Sequence, residues 1–86
     1  MQIIKKNGSL QEFDKSKLER TIMGASDSIK QRLNSSDVQF LSENIERIIK
    51  SIRENNTSSY EVFAVVLHVL KTEGFVDVAN SYYKGN

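Results

Sequence analysis

KKNGSLQEFDKSKL, residues 5–18, is the most informative segment for the fold, because it carries a turn signal followed closely by a helix start. Asn7-Gly8 predicts a two-residue type I′ turn, in which both positions need positive φ angles. Together with the apolar residues before it, this turn predicts a β-hairpin. The alternation of side chains along the first strand then predicts its two faces. One face carries Ile3 and Lys5, and the other carries Ile4 and Lys6.

The sequence after the turn predicts the first helix. Leu10 and Phe13 are the apolar residues expected to pack on the helices, and Asp14 is a suitable N-cap for a helix that begins near Lys15. Apolar residues then recur at helical spacing, and Asn34-Ser35-Ser36 is expected to end the helix. The predicted buried stripe consists of Leu18, Ile22, Ala25, Ile29 and Leu33.

Three further helices are expected. Residues 36–39 match a capping box and predict a second helix that stops at Glu54. A second such box at residues 58–61 predicts a third helix through about Glu73, with Gly74 as its C′ residue. The third helix is apolar nearly all round, so we expect it to be buried on two sides. Residues 78–84 predict a short last helix. The apolar face of the second helix comprises Val38, Leu41, Ile45, Ile48, Ile49 and Ile52.

These elements together predict an α+β fold. An N-terminal β-hairpin, or a small three-stranded sheet, covers a bundle of about four helices. The chain has 86 residues, of which 38% are hydrophobic and 27% charged, which fits one globular domain over residues 1–86.

Composition excludes several kinds of site. The chain has no Cys and one His, His68, so disulfides, thiol nucleophiles and histidine-rich metal sites are excluded. A formal charge of +1 gives little general attraction to nucleic acid. No run of about 18 apolar residues could form a transmembrane helix, and the N-terminus has no signal-peptide core. We therefore expect a cytoplasmic protein with no membrane partner, and a nucleic-acid partner is not favoured.

The lysines around the hairpin admit two interpretations. Lys5 and Lys6 lie on the first strand, and Lys17 lies in the first helical turn, where backbone N–H groups are unpaired. They could converge on a phosphate chain, since lysine is a flexible point charge suited to phosphate. They could equally form a solvated charged face. No GxxxxGK[ST] or GxGxxG motif is present, so spacing alone leaves both interpretations open.

The order of these features resembles that of an ATP-cone, the regulatory domain of many ribonucleotide reductases and of the ribonucleotide reductase repressors. The opening motif appears as Ile3, the basic pair, Asn7-Gly8 and then FDKSKL, residues 13–18. A helix-start segment at residues 57–60 and the closing DVANSYYK, residues 77–84, are similar to later parts of the family pattern. The resemblance covers residues 3–84.

The resemblance implies a site for ATP or dATP with Mg²⁺. It implies that Lys5 and Lys17 hold phosphates, that Asp14 lies near a polar group of the nucleotide or its metal, and that Ile3 lines the base pocket. Thr57 would contact the nucleotide from the third helix. The segment expected to wrap the nucleotide is Gln11, Glu12, Phe13, Asp14, Lys15, Ser16 and Lys17, with Lys6 beside it.

The sequence departs from the family pattern at two of these positions. Lys6 stands where the family commonly has Arg, which keeps the charge and loses the guanidinium fork. Glu61 stands where some reductase cones carry His. The resemblance also implies a non-catalytic, allosteric role, in which the nucleotide changes the oligomeric state. The expected partner is a second copy of the chain or a ribonucleotide reductase catalytic domain.

Two alternatives come from other classes. The apolar third helix could serve a plain helical interaction or dimerisation module that binds no nucleotide, and the hairpin lysines could bind nucleic acid weakly. Glu12 and Asp14 have no nucleophile near them, so catalysis is not expected. His68 is expected to be a structural residue at a helix interface. Tyr82 and Tyr83 are expected to pack, whereas Tyr60, which lies beside Thr57, is the one tyrosine that could instead stack on a base. The arginines expected on solvated helix faces are Arg20, Arg32, Arg47 and Arg53.

Overall fold

The computed structural model describes residues 1–31 and 33–85. Its strands are β1 (Gln2–Ile4), β2 (Leu10–Glu12) and β3 (Asn56–Ser58). Its helices are α1 (Lys15–Ser28), α2 (Ser35–Ile52), α3 (Ser59–Thr72) and α4 (Val76–Gly85). The α+β fold predicted from the sequence, with a small sheet and a four-helix bundle, is confirmed. Of the arginines expected on solvated faces, Arg20, Arg47 and Arg53 are exposed, and Arg32 lies outside the described residues.

The hairpin turn differs from the predicted type I′ turn. The Gly8 N–H donates to the Lys5 carbonyl (2.9 Å) and the Lys5 N–H donates to the Ser9 carbonyl (2.8 Å). Gly8 has a φ of 86°, whereas Asn7 is not among the described residues with a positive φ. This is a three-residue loop, a type I turn closed by a glycine in the left-handed region.

The longer loop shifts the strand register and corrects the expectation for Leu10. A two-residue loop would place Ile4 opposite Gln11, but Ile4 pairs with Leu10 and Ile3 pairs with Gln11. Because a shift of one residue exchanges the two faces of a strand, Leu10 lies on the outer face and is 63% exposed. Phe13 packs against the core as predicted.

The third strand lies in a segment that the sequence marked only as a helix stop and cap. β3 pairs in parallel with β1, with Thr57 beside Ile3, so the sheet order is β2-β1-β3. Thr57 is 3% exposed. The connection through α1 and α2 therefore returns the chain to the central strand and places the start of α3 next to the hairpin.

The first helix ends earlier than predicted, at Ser28. The Lys30 N–H donates to the Asp27 carbonyl and the Gln31 N–H donates to the Ser26 carbonyl, both at 3.1 Å. This is a Schellman motif, in which Lys30 takes the left-handed conformation with a φ of 57°. The buried stripe predicted for the first helix is therefore interrupted after Ala25. Ile29 is exposed and Leu33 is buried but lies beyond the helix.

The caps of α2 and α3 were predicted with mixed success. α2 begins earlier than expected, because Asn34 is its N-cap and forms the capping box with Asp37. Ser58 caps α3 as predicted and accepts from the Glu61 N–H (3.1 Å), but the Glu61 carboxylate bonds to Thr57 and Arg53 and so does not complete the predicted box. Gly74 has a φ of 90° and closes a Schellman motif at the end of α3, which confirms the prediction.

The core lies between the four helices. α1 packs on α2 and α4, and α3 also packs on α2 and α4, so the prediction that α3 is buried on two sides is confirmed. His68 is exposed, and its expected place at a helix interface is wrong. No helix in the described part of the chain could cross a membrane by length and apolarity. The fully buried large side chains include Ile22, Leu41, Ile45, Ile49, Val66, Leu70 and Val78.

Candidate functional site

A cavity of about 540 Å³ lies where the hairpin, α1, α3 and α4 meet. Its volume falls in the range of about 300–1,000 Å³ that is usual for small-molecule sites. The predicted site residues that line it are Ile3, Lys5, Lys6, Gln11, Glu12, Phe13, Asp14 and Lys17. Leu18, Thr21, Ser59, Tyr60, Val62, Phe63, Tyr82 and Tyr83 complete the lining.

Three ammonium groups surround the cavity without a carboxylate partner. Lys5 donates to the side-chain oxygen of Gln11 (3.0 Å), and the Lys6 Nζ lies 5.5 Å from the centre of the Tyr60 ring. None of the ion pairs among residues 1–31 and 33–85 involves Lys5, Lys6 or Lys17. Their charges are therefore not neutralised within the described chain and favour an anion in the cavity.

The two carboxylates of the lining are already bonded elsewhere. Asp14 Oδ1 accepts from the N–H groups of Ser16 (2.9 Å) and Lys17 (3.3 Å), as an N-cap does. Glu12 accepts from the N-terminal ammonium of Met1 (3.0 Å) and from Gln2 (2.6 Å). These bonds hold both carboxylates in place, and neither carboxylate forms an ion pair with a lysine of the lining.

Three predicted site residues do not line the cavity. The Lys15 Nζ lies 3.8 Å from a Glu43 oxygen, between α1 and α2. Ser16 contributes its backbone N–H to the Asp14 cap. The hydroxyl of Thr57 donates to Glu61 Oε1 (2.6 Å). Ligand contacts by these three residues stay predictions, and the structure gives each of them another partner.

Thr57 belongs to a polar cluster beneath the first turn of α3. The Arg53 Nε donates to both oxygens of Glu61 (3.0 and 3.2 Å), and Arg53 Nη2 lies 3.0 Å from Oε2. The hydrogen bond from Thr57, followed by those from Arg53, holds the pKa of Glu61 below its ordinary value, although burial acts in the opposite direction. Arg53, Thr57 and Glu61 thus join the end of α2, the edge strand and α3.

Aromatic rings form the side of the cavity that the sequence did not predict. Phe63 stacks on Tyr82 at 5.5 Å between ring centres and lies 5.9 Å from Tyr83. Tyr82 is 7% exposed, and burial raises the pKa of its phenol. Tyr60 and Tyr83 are largely exposed, at 66% and 63%. The sequence carried a signal for Tyr60 alone, which lies beside the expected contact Thr57 at a helix start.

Ser59 contributes an unusual polar group to the lining. Its hydroxyl oxygen is buried and has no hydrogen-bond partner within the described part of the chain. Such a group is destabilising by about 1–3 kcal/mol when left unsatisfied.

The chemistry of the lining residues indicates which kind of ligand the cavity suits. Within residues 1–31 and 33–85 there is no group of three His, Cys, Asp or Glu side chains that could hold a metal ion. Unpaired ammonium groups and aromatic rings in one lining are typical of a site for an anion that carries a planar group. The cavity of this small α+β domain therefore suits such an anion.

Comparison with known families identifies the class of domain. The family model described as ATP cone domain matches residues 1–84, and the chain belongs to the ATP-cone family. ATP cones are regulatory, non-catalytic domains that bind adenine nucleotides in general. No individual curated protein matches the chain.

Proposed function

We propose that the cavity binds the triphosphate of adenosine or deoxyadenosine as an allosteric signal. The observation that carries this proposal is the convergence of Lys5, Lys6 and Lys17, free of carboxylate partners, on one cavity of an ATP-cone. A triphosphate brings several negative charges, and lysine ammonium groups match them as point charges. In this arrangement Ile3 contacts the base.

Mg²⁺ accompanies the triphosphate in this proposal. Mg²⁺ is usually held by one or two carboxylates together with substrate phosphates and several waters. The cavity offers Asp14 and Glu12, and the described residues contain no larger acidic cluster. The protein would therefore supply at most a small share of the ligands, and the phosphates would supply the rest.

The partner would be a second copy of the chain or a ribonucleotide reductase catalytic domain in the cytoplasm. Membership of a regulatory family supports this proposal. Sedimentation of the chain with ATP and with dATP tests the first partner, because a regulatory cone that acts on its own association should change its oligomeric state between the two.

Calorimetric titration with ATP, dATP and GTP tests the nucleotide. We expect micromolar binding of adenine nucleotides, and replacement of Lys5 and Lys17 together by Ala should abolish it with little loss of fold. The matched control replaces Lys50 and Lys71, which are exposed lysines outside the cavity, and should retain binding. If none of the three nucleotides binds, the result would favour the alternative function, a helical interaction module. Binding that survives the Lys5/Lys17 double change would show that the phosphates lie elsewhere.

A further inference from the structure

A contact between Lys6 and Tyr60 joins the hairpin loop to the first turn of α3. The Lys6 Nζ lies 5.5 Å from the centre of the Tyr60 ring, within the distance of about 6 Å at which a cation is attracted to a ring face. Both residues are exposed and both line the cavity. Lys6 has no ion pair among the described residues, so the ring is the observed partner of its charge.

A phosphate in the cavity would compete with Tyr60 for this ammonium group. Charge-assisted hydrogen bonds to phosphate need the ammonium at short range and in a defined direction, which differs from its place over the ring. We propose that Tyr60 competes with the phosphate groups of the ligand for Lys6 and thereby lowers the phosphate affinity of the cavity. This inference rests on the proposed function and names Tyr60 as a residue that sets its affinity.

The size of the effect follows from the exposure of the contact. Exposed cation–ring contacts are weak, and their usual strength corresponds to a factor of about two to five in an equilibrium constant. Release of Lys6 from the ring should tighten phosphate binding by that factor. A ring that only packed against the protein would give no such gain on removal.

Inorganic triphosphate is the probe, because it has no base that could stack on Tyr60. We expect Y60L to bind it about two to five times more tightly than the wild type, whereas Y60F, which keeps the ring, should show no gain. F40L removes an exposed ring from α2, outside the cavity lining, and serves as the matched control. In a K6M background, Y60L should give no further change.

The outcomes separate this inference from the proposed function. If the wild type binds neither ATP nor inorganic triphosphate, the proposed function fails and the competition fails with it. If the wild type binds both and Y60L does not bind triphosphate more tightly, the competition is overturned while the function stands. Proton NMR gives a second measurement. The Lys6 ε-methylene signals should be shifted by the ring in the free wild type, and triphosphate should remove that shift. Its persistence in the bound state would also overturn the proposal.

Discussion

At the scale of single residues, the hydrogen bonds of the Glu61 carboxylate determine what its neighbour Thr57 contacts. It lies in the first turn of α3 beside cavity residues, yet it accepts hydrogen bonds from Thr57 and Arg53. The sequence resemblance suggested Thr57 as a nucleotide contact. The structure instead gives the Thr57 hydroxyl a carboxylate partner, Glu61, which lies four residues further along the chain. Glu61 stands at a position where this sequence departs from the family pattern.

Glu61 predicts a pH dependence of stability. The folded-state pKa of Glu61 lies below its ordinary value of 4.5, so its stabilising effect is fully present above about pH 4.5 and is lost as the pH falls through the lower folded value. E61Q should lower the free energy of unfolding by about 1–2 kcal/mol at pH 7. Urea unfolding at several pH values should show this difference narrowing below pH 4.5.

The control for this experiment is E46Q. Glu46 pairs with Lys50 at 3.5 Å on the exposed face of α2, and exposed pairs of this kind contribute about 0–1 kcal/mol. A loss of stability in E46Q as large as that in E61Q would contradict a specific role for the Arg53–Thr57–Glu61 cluster.

At the scale of elements, helix ends decide where the chain changes direction. α1 and α3 both end in Schellman motifs, but one uses Lys30 and the other Gly74 in the left-handed conformation. Glycine takes that conformation without the steric cost that a Cβ imposes. The end of α3 was therefore predictable from Gly74, whereas the end of α1 had no glycine to mark it.

The two helix ends predict opposite effects of substitution. K30G should raise the free energy of unfolding by about 0.5–1 kcal/mol, because it removes the steric strain of a Cβ at a positive φ angle. G74A should lower it by about 1 kcal/mol, because it introduces the same strain. Chemical denaturation of both variants measures these changes. A destabilised K30G would mean that the Lys30 side chain contributes more than its backbone strain removes.

At the scale of the whole molecule, the cavity joins elements that are distant in sequence. Its lining comes from the hairpin, α1, α3 and α4. A ligand in it would contact all four and would stabilise their packing together. All three tyrosines of the chain line the cavity, and the chain has no Trp, so intrinsic tyrosine fluorescence should report occupancy directly.

Ligand binding should therefore raise the melting temperature. At a ligand concentration of about 100 times Kd, binding to the folded state alone contributes about 2.7 kcal/mol, which corresponds to a rise of roughly 10–20 °C for a domain of this size. Thermal melts with ATP, followed by tyrosine fluorescence, measure it. The Lys5/Lys17 double variant should show no rise, and an equal rise in that variant would contradict the proposed phosphate site.

Features that depend on local chemistry were predictable from the sequence. The Asp14 and Ser58 caps, the Gly74 helix end and most of the apolar helix faces follow from hydrogen bonds and periodicity within a few residues. The α+β class and the lysine-bearing hairpin follow from the same local signals, as does the resemblance to the ATP-cone.

Tertiary structure alone decided the features that depend on contacts between distant segments. β3 forms because Asn56–Ser58 pairs with the free edge of β1. A segment of three residues has too little local β preference to predict a strand. The three-residue loop set the register that exposes Leu10. The aromatic side of the cavity formed when α4 packed on α3 and brought Tyr82 and Tyr83 to Phe63. Pairing and packing across the chain, rather than local preference, fixed these positions.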